Sequence, residues 1–119
     1  MDDLPIEALE QVATYFQALS ETTRLRIMSI LRRGERNVGE LAQLCDYTSA
    51  NISRHLAILS KHGLVAREQR GTSVYYRIAD ESVYALCDLV CGNIARQFEQ
   101  KAREHQSFVA SAERAKAAP

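Results

Sequence analysis

Residues 37–78, NVGELAQLCDYTSANISRHLAILSKHGLVAREQRGTSVYYRI, carry a helical periodicity that gives way to an alternating one, and that change decides the fold. Val38, Leu41 and Leu44 recur at helical spacing, with Asn37 placed as N-cap and Glu40 three residues on. Asp46 and Tyr47 break that helix. Thr48 or Ser49 opens a second one, whose Ile52, Leu56 and Leu59 mark the buried face. Lys61 and His62 make a cationic last turn, and Gly63 stops the helix as its C′ residue. Residues 64–69 and 73–78 then read as strands joined by Arg70, Gly71 and Thr72, with Gly71 supplying the positive φ of a short turn. Helix, break, helix is the helix-turn-helix pattern, whose second helix offers its N-terminal residues to the DNA major groove. A basic-tipped hairpin directly after it makes a winged helix. The fold class expected is mainly α with a small β-hairpin, a winged helix-turn-helix.

Outward from that stretch, Ile6, Leu9, Val12, Phe16 and Leu19 fall at three- and four-residue steps, an amphipathic first helix with Pro5 near its start. Its outer face is acidic, which suits packing and dimer support. A second helix follows Ser20, with Leu25, Ile27, Met28 and Leu31 buried and Gly34 as its stop. After the wing, Asp80 is placed as N-cap of a long last helix. Val83, Leu86, Cys87, Val90, Cys91, Ile94 and Phe98 trace its apolar seam, close to the seven-residue repeat of a helix-pairing surface. Beyond Phe108 apolar periodicity stops, and residues 109–119 are expected to form a frayed tail. At 119 residues the chain is read as one domain over 1–119.

Apolar and charged fractions are those of an ordinary globular protein. No apolar run approaches membrane-spanning length, and the acidic start is unlike a secretory signal. Three cysteines, an odd count, point to a cytoplasmic chain with free thiols. The net charge is zero, but it is unevenly distributed. The first 21 residues hold five acids and no base, whereas residues 54–77 set Arg54, Lys61, Arg67, Arg70 and Arg77 against Glu68 alone. Phosphates respond to that local field rather than to the total. An enzyme is not expected: there is no Gly-rich phosphate loop, no Gly-x-Ser-x-Gly elbow and no His-Glu-x-x-His, and His55, His62 and His105 are scattered.

The chain resembles the ArsR/SmtB family of bacterial transcriptional repressors. The likeness rests on ALSETTRLRI (18–27), GELA (39–42), SANISRHLAIL (49–59), HGLV (62–65) and GTSVYYR (71–77), one continuous pattern between the two tails. It implies a homodimer built on the terminal helices that binds an inverted-repeat operator in double-stranded DNA. Some family members bind metals through a Cys-Val-Cys motif on the helix before the recognition helix; the matching stretch here, ELAQLC (40–45), lacks it. Others hold zinc on the last helix, where this chain offers Asp80, Ser82, Asn93 and Arg96 and no histidine. No metal site is assigned.

The DNA-reading candidates are Thr48, Ser49, Ala50, Asn51, Ser53, Arg54 and His55, with Arg70 and Thr72 at the wing and Arg67 or Arg77 beside them. Asn can pair bidentately with adenine, Arg with guanine or phosphate, and Ser with either. Thr48 or Ser49 can instead be a cap alone, and His55 can brace the hairpin from a part-buried site. For Arg24 and Arg26 a bracing or solvated role is preferred to DNA contact. Cys87 and Cys91, four residues apart, share one helical face and are the candidate inducer or redox-sensing pair, suited to arsenite (As(III)), other thiophilic species or oxidants. Cys45 is read as core. Three functions remain open: a repressor released by a thiol-reactive inducer, a constitutive winged-helix DNA binder with structural cysteines, or a winged-helix protein-interaction module. Salt-dependent retardation of a DNA duplex separates the last from the others.

Overall fold

A computed structural model describes residues 3–117, with elements in the order α1 (Ile6–Leu19), α2 (Thr22–Leu31), β1 (Arg36–Asn37), α3 (Val38–Cys45), α4 (Ser49–Lys61), β2 (Val65–Arg70), β3 (Ser73–Ile78) and α5 (Ser82–Ala117). The chain, read from sequence as one domain, divides after Glu81 into two units, the winged-helix body and α5.

Helix ends in the body are set by local chemistry. At α3 the Asn37 side chain accepts from the Glu40 backbone N–H at 2.8 Å while Glu40 accepts from the Asn37 N–H at 3.1 Å, a complete capping box. The helix stops because Asp46 enters the left-handed region (φ 53°), and Tyr47 N–H reaches back to Ala42 O at 2.9 Å. α4 ends in a Schellman motif: Gly63 (φ 71°) donates to Ser60 O at 3.0 Å and Leu64 to Leu59 O at 2.9 Å. α2 opens one residue later than expected, with Glu21 rather than Ser20 as N-cap, accepting from Arg24 N–H at 3.0 Å.

Ile27, Leu41, Ile52, Leu56, Leu59 and Leu64, from α2, α3, α4 and the start of the wing, are fully buried and form the centre of the core. Each such side chain contributes about 1.5–3 kcal/mol through removal from water. The buried faces differ from the expected ones in two helices. Leu44 is exposed and α3 buries Leu41, Ala42 and Cys45; Leu25 is exposed and α2 buries Ile27, Met28 and Leu31. The reason is geometric: at about 100° per residue a run of three-residue steps slides off one face within two steps.

The sheet has three antiparallel strands in the order β1-β3-β2. The two-residue β1 was not expected; it pairs Arg36 with Tyr76 and Asn37 with Tyr75, tying the wing to the α3 N-terminus. Strand β2 begins at Val65 rather than Leu64 and includes Arg70, so the wing loop is only Gly71-Thr72.

α5 opens at Ser82, two residues past the expected Asp80 cap, and its 36 residues span about 54 Å. It continues to Ala117 where a frayed tail was expected from 109 onwards. Ala, Glu, Arg and Lys dominate that stretch, and all four are strong helix formers. Residues 118 and 119 lie outside the described ones.

Candidate nucleic-acid interface

The amino end of α4 is amphipathic across its axis. Ile52, Leu56 and Leu59 are buried, while Ser49, Ala50, Ser53 and Arg54 are exposed and Asn51 is half-buried. Thr48 is the N-cap: its side chain accepts from Asn51 N–H at 3.2 Å. Arg54 Nη2 donates to Asn51 Oδ1 at 2.9 Å, so two candidate base readers one turn apart are paired with each other. Thr48→Ala is expected to destabilise the fold by about 1 kcal/mol through loss of the cap. A urea midpoint that does not move would leave that hydrogen bond without energetic weight.

His55 faces the other way. Its Nδ1 lies 3.3 Å from Arg24 Nη1 and 3.7 Å from Glu21 Oε2, and its ring stacks on Tyr47 with centroids 6.3 Å apart. It is part-buried, as one reading of the sequence had it, but what it braces is the start of α2 and the α3–α4 turn rather than the hairpin. Arg24 extends the same cluster, donating through Nε to Ala18 O at 2.6 Å and through Nη2 to Gln17 O at 3.1 Å, the last carbonyls of α1. Arg26 does the equivalent for α3, reaching Leu44 O at 2.9 Å. Both arginines therefore brace helix ends. Cys45, the last residue of α3, is buried; burial pushes its thiol up, against the opposing pull of Arg26.

Beyond Ala66, strand β2 is exposed, so the hairpin emerges from the core as a wing. Gly71 (φ 62°) at the first loop position fits a type II′ turn, where glycine bears no steric penalty. Thr72 is exposed at the tip. The register sets Glu68 opposite Tyr75, Arg70 opposite Ser73 and Ala66 opposite Arg77, so Glu68, Arg70, Tyr75 and Arg77 share one face. Arg70 is not a free cation. Its Nη1 and Nη2 reach the two Glu35 oxygens at 2.6 and 3.0 Å, Nη2 also meets Glu68 at 3.0 Å, and the guanidinium lies 4.8 Å from the Tyr75 ring centre. The Arg70 hydrogen bond lowers the Glu35 carboxyl below its ordinary range, and Glu35 and then Glu68 raise Arg70 in return. Arg77 is 3.9 Å from Glu68. The sequence count of charges missed Glu35, which is remote in sequence from the wing.

On α5, Cys87 is half-buried and Cys91 exposed, and neither is in a disulfide. Among the described residues no group of three or more His, Cys, Asp or Glu is placed to hold a metal ion, and no helix is long and apolar enough to cross a membrane.

Comparison with known proteins meets the same geometry. The family model described as bacterial regulatory protein, arsR family, matches residues 21–67, the span from the α2 cap into the first strand of the wing. The arsenical resistance operon repressor of Bacillus subtilis (strain 168) is 36% identical over 87 residues, covering 72% of this chain and 83% of its own. The cadmium resistance transcriptional regulatory protein CadC homolog of Staphylococcus aureus is 34% identical over 110 residues, 92% of this chain and 81% of that one. A homodimeric winged helix-turn-helix DNA-binding domain from Mycobacterium bovis, described as a possible ArsR-family transcriptional regulator, superposes with a TM-score of 0.73 at 34% identity, covering 84% of this chain and 95% of that one. With its capped helix-turn-helix, its wing and these relatives, the chain belongs to the ArsR family of bacterial transcriptional regulators.

Proposed function

We propose that the protein is a homodimeric, cytoplasmic transcriptional repressor that reads an inverted-repeat operator and releases it on reaction with a thiol-reactive inducer. The observation that carries the DNA reading is α4, whose amino end leaves Ser49, Ser53 and Arg54 exposed while Ile52, Leu56 and Leu59 are buried, with Arg54 opposite that stripe. In the major groove Arg54 and Asn51 contact base edges, Ser49 and Ser53 contact bases or phosphates, and the α4 N-terminus capped by Thr48 seats a phosphate. Arg70 and Thr72 follow the flanking backbone. His55 holds α4 from behind, through α2 and the turn, rather than touching a base.

Dimerisation is supported by two apolar rows that the single chain leaves uncovered. Ile6, Leu9 and Phe16 are exposed on α1, and Val90, Ile94 and Phe98 on α5. The homodimeric relative from M. bovis supports the same reading. For the inducer, Cys87 and Cys91 are the groups on which we rest the proposal: arsenite, a soft metal ion or an oxidant would react there. The B. subtilis relative named for an arsenical resistance operon and the S. aureus relative named for cadmium resistance point to thiophilic chemistry of this kind.

Arg54→Ala tests the reading head. Operator affinity is expected to fall, with preference at one base position relaxed by about 1–3 kcal/mol. Anisotropy titrations against a set of singly substituted operator duplexes measure both effects. Unchanged affinity would remove Arg54 from the interface.

A further inference from the structure

The cation best placed at the wing tip is held by a residue outside the wing. Glu35 stands in the loop between α2 and β1, 35 positions before Arg70, and takes both guanidinium nitrogens in a two-pronged contact at 2.6 and 3.0 Å. Glu68, the second acceptor at 3.0 Å, lies on the wing itself, two residues from Arg70, and moves with it. Side chains of this trio are each roughly half exposed (Arg70 44%, Glu35 39%, Glu68 51%), so the contact is open to an incoming anion. A carboxylate gripped by two parallel N–H bonds occupies the same edge of the guanidinium that grips two phosphate oxygens. A DNA backbone approaching Arg70 therefore meets a group whose best edge is taken, flanked by two negative charges.

We propose that Glu35 is a built-in competitor of the DNA backbone for Arg70, holding the wing's sequence-independent affinity below what its arginines alone would give. The proposal rests on the DNA-binding reading above. Its physical content is an exchange: phosphate displaces Glu35, and Arg70 passes from the body of the domain to the nucleic acid. Affinity then depends on salt in a definite way. An arginine still neutralised by a carboxylate displaces few counterions from DNA, whereas a freed one contributes up to about 0.9 to the slope of log affinity against log salt.

The test is a titration of a labelled, mixed-sequence duplex with the full chain, from low to physiological salt, for wild type, Glu35→Gln, Arg70→Ala and the double variant. Glu35→Gln is expected to bind several-fold more tightly at low salt, with a slope steeper by up to about one unit. That gain should vanish in Glu35→Gln/Arg70→Ala. Glu35→Asp keeps the charge and shortens the reach, so it should show part of the same Arg70-dependent gain, and thermal melts of each variant check the fold. Weaker or unchanged binding by Glu35→Gln overturns the proposal. So does a gain that persists without Arg70, because it would reflect only the removal of a negative charge near DNA. Wild type that binds no duplex in a salt-dependent manner sinks the DNA-binding reading itself, an outcome distinct from an unaltered Glu35 slope.

Discussion

Ile94→Asp is expected to dissociate the dimer and, with it, most of the operator affinity. In the single chain Val90 is 49% exposed, Ile94 43% and Phe98 66%, a row of large apolar side chains at four-residue steps facing water on one helix. A surface of that kind marks an association site, and its near-heptad spacing suits a second helix. If a second copy covers it, an aspartate at 94 is buried without a partner in each protomer. Breaking a buried arrangement by leaving an uncompensated charge costs about 3–5 kcal/mol, which is roughly 150- to 5,000-fold in the dimerisation constant. Operator binding falls with it, because two half-sites read by one linked molecule gain from effective concentration that two monomers lack. Sedimentation velocity at micromolar protein reads the first effect and anisotropy the second. A variant that remains dimeric would place the interface away from this row.

The features legible in the sequence were those that local chemistry encodes. Asn37 with Glu40, Thr48, Gly63 and Gly71 each mark a cap or turn through groups within a few residues, and each stands where its spacing predicts. The exposed face of α4 was legible for the same reason, since one helix's period sorts Ile52, Leu56 and Leu59 from Ser49, Ser53 and Arg54. What escaped was long-range or too short to carry a period. Two residues cannot alternate, so β1 is visible only through its pairing with β3. The Glu35–Arg70 contact joins positions 35 apart, and no local pattern announces it. His55 fell between: its place on the inner side of α4 was one of two readings, but Arg24, Glu21 and Tyr47 as its neighbours follow only from the packing of α2 against α4. An apolar stripe also reads alike whether a core or a partner covers it. That is why the first helix read as suited to packing and to dimer support alike, and its Ile6 and Phe16 are exposed in the single chain.

The double change Cys87→Ser/Cys91→Ser is expected to leave operator binding intact and to abolish its release by arsenite. The pair sits at i and i+4 on α5, with Cys91 exposed and Cys87 half-buried in the single chain, on the seam that a second copy would cover, so a reagent bound there acts at the subunit boundary. Cβ atoms at this spacing are about 5–6 Å apart, beyond the roughly 3.5–4.5 Å that a disulfide needs, so oxidation to an intrahelical disulfide would distort the backbone. Arsenite asks less. Two thiols condense with one As(OH)3, forming two As–S bonds and expelling two waters, and the arsenic spans the gap. A peroxide acting on the pair would instead remove two electrons and two protons, leaving a disulfide and two waters, at the cost of that distortion. On this spacing arsenite is expected to bridge the pair more readily than a mild oxidant closes a disulfide within it. Either reaction can empty the operator only by favouring a dimer shape in which the two recognition helices no longer match successive grooves. A coupling of about 2–3 kcal/mol corresponds to roughly a 30- to 150-fold loss of affinity, enough to release an operator held near its threshold. Cys45→Ser serves as the comparison: that thiol is buried and burial pushes it up, so the response should survive its loss. The measurement is anisotropy of a labelled operator, selected from random sequence by the wild-type protein, with and without arsenite. If the double variant still lets go of the DNA, Cys87 and Cys91 are packing residues and the signal enters elsewhere; if the wild type never lets go, its inducer is not a thiol reagent of this class.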